Sequence, residues 1–67
     1  MKKREYQPGE RFFDKKTSRL ITIIRCVSYN DVYTTTVVPT DPDYVGPYSY
    51  TEMFHGFELA EMEYLGN

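Results

Sequence analysis

Residues 20–28 read Leu-Ile-Thr-Ile-Ile-Arg-Cys-Val-Ser and are dominated by β-branched side chains. The run is too short and too often interrupted by polar residues to form a helix with one apolar face, so it is predicted to be a strand. Thr22 and Arg25 both belong on the solvent-facing side of that strand, yet three positions separate them. Strict alternation does not allow this, and a β-bulge near Ile23 and Ile24 would reconcile the two.

The segments on either side of this strand are predicted to pair with it. A short strand over residues 10–14 leads into a polar hairpin loop over residues 14–19. Asn30 and Asp31 predict a tight turn, because both residue types tolerate the left-handed backbone of two-residue hairpins. Residues 32–38 then return as the partner strand, which completes a three-stranded meander.

The second half of the chain is less regular. Residues 39–48 hold three of the four prolines and are predicted to form an irregular loop, since proline cannot donate to a strand ladder. Two structures are compatible with the tail: a helical turn over 49–56, ended by Gly56 and followed by a strand over 57–64, or one amphipathic helix over 51–65. The alternation after Gly56 favours the first.

The length of 67 residues allows one core and therefore one domain. We expect residues 1–9 to form a polar N-terminal arm and residues 10–65 a single β-barrel domain. The lone Cys26 cannot form an internal disulfide, so the core has to rest on packing. No apolar run approaches the roughly 20 residues that span a bilayer, and the chain is expected to be cytoplasmic, unprocessed and without a membrane partner.

The order of elements, from the short strand and polar hairpin to the final strand, resembles that of small SH3-like barrels. Residues 8–23, Pro-Gly-Glu-Arg-Phe-Phe-Asp-Lys-Lys-Thr-Ser-Arg-Leu-Ile-Thr-Ile, also look like the opening hairpin of small barrel proteins carried by bacteria, phages and mobile elements. The resemblance implies a mainly β fold: a small, SH3-like, partly open barrel of about five strands with one short helical turn. It implies a binding module for peptides, nucleic acid or a larger assembly, and it assigns no functional residue.

No pattern typical of an enzyme is found. His55 is the only histidine and has neither a second ligand at metal spacing nor a nucleophile motif near it. Cys26 is interpreted as a small core residue, and no glycine-rich loop is present to hold a phosphate. The tail glutamates are interpreted as a solvated acidic face: Glu52, Glu58, Glu61 and Glu63. The chain is thus expected to be non-catalytic, without cofactor, metal or small-molecule substrate.

Charge divides the chain: all eight basic residues precede Asn30, and seven of the ten acidic residues follow it. The ordinary interpretation is that two oppositely charged halves of a small fold attract each other. Alternatively, the basic set follows a phosphate backbone, although the acidic half would repel nucleic acid and the overall pI of about 5.2 lacks the usual basic footprint. These candidate nucleic-acid-binding residues are Lys2, Lys3, Arg4, Arg11, Lys15, Lys16 and Arg19.

Seven tyrosines and no tryptophan suggest an interface, because tyrosine supplies rigid contact area with a polar tip. Tyr44, Tyr48 and Tyr50 lie in and beside the proline-rich loop, and Tyr29 and Tyr33 flank the tight turn. The alternative is that these rings only cover the rim of a thin core.

Three functional hypotheses follow. The first is a non-catalytic protein-interaction module whose tyrosine face contacts a protein partner or a second copy of the chain. The second is a nucleic-acid-binding accessory protein that uses the basic half. The third is an acidic mimic of nucleic acid that inhibits a basic host protein through residues such as Asp41, Asp43, Glu52 and Glu58.

Overall fold

The computed structural model describes residues 5–27 and 31–67. The described part of the chain contains five strands and one short helix: β1 (Arg11–Asp14), β2 (Arg19–Val27), β3 (Val32–Pro39), β4 (Tyr50–His55), α1 (Gly56–Ala60) and β5 (Glu63–Gly66). The strands form one antiparallel sheet in the order β4-β3-β2-β1-β5. The expectation of a mainly β fold with about five strands is confirmed, and the sheet is open.

The pairing of β2 with β3 forms the centre of the sheet. Ile23 lies opposite Thr35 and Arg25 lies opposite Thr34, so the register shifts between Ile23 and Arg25. This confirms the predicted bulge, which leaves Ile24 49% exposed while Ile23 remains buried. Asp31 has a left-handed backbone with a φ of 54°, as the predicted turn requires, whereas Asn30 lies outside the described residues.

The core lies on one face of the sheet and includes side chains from β1 to β4 and from α1. Its buried apolar members are Phe12, Ile21, Ile23, Tyr33, Val37, Phe54 and Leu59. Thr35 is a buried polar residue whose hydroxyl donates to the backbone carbonyl of Glu52 at 2.8 Å. This bond satisfies a polar group that would otherwise be costly to bury.

Packing starts before the expected domain boundary at residue 10. The ring of Tyr6 lies edge-on to Phe12 at 5.0 Å between centroids and tilted against Tyr33 at 5.6 Å. The backbone N–H of Gly9 donates to the carbonyl of Ile23 at 2.8 Å. Tyr6 therefore packs on the core and Gly9 is bonded to β2, whereas residues 1–4 lie outside the described residues.

The expectations for residues 49–65 are wrong in position. Residues 50–55 form strand β4, which pairs with β3 from Val32 opposite His55 to Val37 opposite Tyr50. The helix follows Gly56 instead of ending at it, and the final strand is Glu63–Gly66. The reason lies in β4, where Phe54 is buried and its neighbours Met53 and His55 are exposed, an alternation that suits the edge of a sheet.

Strand β5 returns to the start of the chain and pairs with β1, with Phe12 opposite Tyr64. The Tyr64 hydroxyl donates to the carboxylate of Glu10 at 2.6 Å, and Glu10 is buried. This contact attaches the last strand to the segment before β1. No helix among the described residues is long and apolar enough to cross a membrane.

Candidate functional site

A groove of about 840 Å³ lies between the turn that joins β1 to β2 and the chain that runs from β4 through α1 into β5. Its apolar lining consists of Phe13, Phe54, Phe57 and Met62. Phe54 belongs to the core and forms the floor, whereas Phe57 is 66% exposed. The remaining lining residues are charged, so that apolar surface is surrounded by ionic groups.

Arg19, the first residue of β2, forms hydrogen bonds to several chain segments beside this groove. Its guanidinium donates to the Asp14 carboxylate at 3.3 Å and to the Glu52 carboxylate at 3.0 Å. It also donates to the hydroxyls of Thr17 at 2.6 Å and Tyr50 at 3.1 Å. Its Cζ lies 5.6 Å from the ring centroid of Phe54, within cation–π range. Arg19 is thus a structural residue whose hydrogen bonds join β1, the turn and β4.

This arrangement shifts the pKa of both main partners. Burial by itself raises the pKa of Asp14, but hydrogen bonds from Thr17, Arg19 and the backbone of Lys16 outweigh it and hold that pKa below its ordinary value. Burial lowers the pKa of Arg19, but hydrogen bonds to Tyr50 and Asp14 and the charge of Glu52 raise it. Both groups are consequently stabilised in their charged forms.

The start of α1 holds Phe57 at the mouth of the groove. The backbone N–H of His55 donates to the Glu58 carboxylate at 2.7 Å, and His55 Nδ1 lies 3.5 Å from the same oxygen. A carboxylate at this position satisfies a backbone donor at a helix start. The His55 ring stacks on Phe57 at 5.2 Å between centroids. Phe57 is therefore exposed and also held in place.

The first residue of α1 is a glycine that lies close to the β2–β3 turn. The N–H of Gly56 donates to the carbonyl of Asp31 at 2.8 Å. A Cβ at position 56 would collide with the Asp31 carboxylate. With glycine at this position, the Asp31 carboxylate can lie directly against the start of α1.

The structure separates the tyrosines that the sequence grouped as a candidate protein-binding face. Tyr33 is 1% exposed and belongs to the core, so it does not present a contact surface. Tyr50 is half-buried against Arg19, while Tyr44 and Tyr48 lie in the exposed loop between β3 and β4. Tyr29 lies outside the described residues. Tyr44 and Tyr48 are thus the exposed members of the described set.

Tyr33 has a definite structural role. Its hydroxyl accepts a hydrogen bond from the backbone N–H of Tyr6 at 3.3 Å. Burial raises the pKa of Tyr33 above its ordinary value. The neutral phenol therefore supports the packing of Tyr6 on the core.

Of the candidate nucleic-acid-binding residues, Lys15, Lys16 and Arg19 line the groove. Lys2, Lys3 and Arg4 lie outside the described residues, and Arg19 is paired with Asp14 and Glu52. Lys15 lies 3.8 Å from Glu63, and Arg11 and Lys16 are exposed. Two of these pairs, Arg19 with Glu52 and Lys15 with Glu63, join the basic half to the acidic half. They support the interpretation that the two halves attract each other.

The lone cysteine and two of the tail glutamates form contacts within the fold. Cys26 is partly buried against the core. Within residues 5–27 and 31–67, no group of three or more His, Cys, Asp and Glu side chains is arranged to hold a metal ion. Glu52 pairs with Arg19, and Glu58 accepts from the start of α1.

Comparison of the chain with protein-family models, curated proteins and solved structures finds no match. The site is therefore interpreted from its geometry. The sequence did not indicate the groove, because Phe13, Phe54 and Phe57 lie on separate elements and come together only when β4 and α1 fold against the β1–β2 turn.

Proposed function

We propose that this chain is a non-catalytic protein-interaction module with an SH3-like, partly open barrel, and that a protein partner binds in the groove. The main support is Phe57. It is 66% exposed, lines the groove and is held by the stacked ring of His55. An aromatic side chain that is exposed and yet positioned is typical of the anchors that dominate protein interfaces.

The SH3-like part of the proposal is supported by the arrangement of the strands. Three strands form a meander, β4 continues it, and a short helix leads to a last strand that pairs with the first. The bulge in β2 lets the sheet curl. The strand order places β4 and β5 at the two edges of the sheet, and residues from both line the groove.

The test compares two exposed apolar residues. Phe57→Ser removes the anchor, and Ile24→Ser is the matched control because Ile24 is 49% exposed and does not line the groove. Both variants should keep the circular dichroism spectrum and unfolding midpoint of the parent. We expect partner capture from a lysate to be lost with Phe57→Ser and kept with Ile24→Ser.

A third variant tests whether the partner binds the groove or the exposed tyrosines of the β3–β4 loop. Tyr48 is 85% exposed in the loop between β3 and β4 and does not line the groove. If Tyr48→Ser abolishes capture and Phe57→Ser leaves it unchanged, the partner binds the loop and the groove proposal is wrong.

An acidic inhibitor of a basic protein is the second candidate. The specific observation in its favour is the charge of the groove, where five carboxylates outnumber three cations. Size-exclusion chromatography with light scattering, run with and without mixed oligonucleotides at low and physiological salt, tests this candidate against nucleic-acid binding. A salt-sensitive complex with the oligonucleotides would contradict the inhibitor and favour the basic residues of the first half.

A further inference from the structure

The charges that line the groove do not cancel. Arg19 is shared between Asp14 and Glu52, and Lys15 lies near Glu63. The other charged lining residues are Lys16 and two carboxylates, Glu58 of α1 and Glu61 at its C-cap.

Glu58 and Glu61 are three positions apart along α1, a spacing that places two side chains on the same side of a helix. Glu58 accepts from the backbone of His55, a contact that leaves its negative charge in place. Glu61 is exposed and forms no ion pair with the described part of the chain. A local excess of negative charge thus lies beside the exposed ring of Phe57.

We propose that the groove binds a segment of a partner protein that carries an apolar side chain next to lysine or arginine. This inference rests on the proposed function and defines the chemistry of the partner. The apolar side chain packs on Phe57 above the floor formed by Phe54, and the cation lies against Glu58 and Glu61. Complementary charge of this kind selects basic partners and disfavours acidic ones.

A selection experiment identifies the preferred segment. A random peptide library displayed on phage is selected against the immobilised protein and counter-selected against the Phe57→Ser variant. We expect the enriched peptides to carry lysine or arginine within two positions of an apolar residue. Enriched peptides without basic residues would overturn this inference and leave the proposed function intact. If no peptide distinguishes the parent from Phe57→Ser, the proposed function itself fails.

A synthetic version of the best-enriched peptide then tests the two carboxylates. In Glu58→Gln with Glu61→Gln, the glutamine at position 58 still accepts the hydrogen bond from His55, so the helix start is kept. The matched control is Asp41→Asn with Asp43→Asn, which changes the net charge equally in the exposed loop outside the groove.

We expect the dissociation constant of the peptide to rise about tenfold in the groove variant and less than about twofold in the control, measured by calorimetry at low salt. An equal change in both variants would show that only the overall charge matters, and would overturn the assignment to Glu58 and Glu61.

Discussion

Arg19 and Glu52 are joined by a 3.0 Å contact between Nη1 and Oε1, although strand β3 lies between their strands. Arg19 also pairs with Asp14, its neighbour across the β1–β2 ladder. One side chain therefore connects the end of β1 to β4, next to the groove. Because its side chain is only 17% exposed, these contacts are shielded from water more than ordinary surface pairs are.

We expect Arg19→Met to lower the free energy of unfolding by about 2 kcal/mol, since Asp14 and Tyr50 lose a charged hydrogen-bond partner in a partly buried site. The control is Lys15→Met, which removes a well-exposed ion pair with Glu63 and should cost less than about 0.5 kcal/mol. Urea denaturation measures both. Similar losses in the two variants would contradict a structural role for Arg19.

The Asp14 carboxylate should contribute to the dependence of the unfolding free energy on pH in the acidic range. Its pKa is below the ordinary value of 3.8 in the folded protein. Its contribution is therefore complete above 3.8 and is lost as the pH falls from there through the folded pKa. We expect the difference in unfolding free energy between the parent and Asp14→Asn to shrink over that window. Asp43→Asn controls for net charge, and a constant difference for Asp14→Asn would contradict the assignment.

Gly56→Ala should destabilise the protein because the added Cβ meets the Asp31 carboxylate. We expect a loss of about 1 kcal/mol, at the low end of the range for overpacking, because the Asp31 side chain can move aside in part. Asp31→Gly removes the obstacle and suits the left-handed backbone at that position. The cost of Gly56→Ala, measured by urea denaturation, should therefore be clearly smaller in the Asp31→Gly background. If Gly56→Ala costs the same in the parent and in the Asp31→Gly background, the contact with Asp31 is not the cause of the destabilisation.

Tyr6 should behave as a core residue although it precedes the first strand. Its ring packs on Phe12 and Tyr33. We expect Tyr6→Ala to lower the unfolding free energy by about 2 kcal/mol, as for a partly buried aromatic side chain. The adjacent Glu5 is exposed, and Glu5→Ala should change stability by less than about 0.5 kcal/mol. Thermal unfolding of both variants decides whether the domain begins before residue 10.

Much of the sheet follows from local sequence. The β-branched run of β2, the bulge after Ile23 and the left-handed backbone of Asp31 were all predicted, and all three appear in the structure. Each depends on a few neighbouring residues: side-chain branching, the spacing of Thr22 from Arg25, and a residue type that tolerates positive φ. The loop after Pro39 was predicted on similar grounds, because proline interrupts a ladder wherever the rest of the chain lies.

Tertiary contacts decided the rest. Residues 50–55 alternate over too short a span to distinguish a strand from a helical turn, and the edge of β3 settled the matter by offering hydrogen bonds. Gly56 is compatible with either end of a helix, and its contact with Asp31 places it at the start. The groove is formed by residues far apart in the chain, so no local sequence pattern predicts it. Sequence by itself determined that the segments of β1, β2 and β3 are extended, because that preference is local. Only the folded chain determined which edges and side chains meet, because that depends on packing between distant segments.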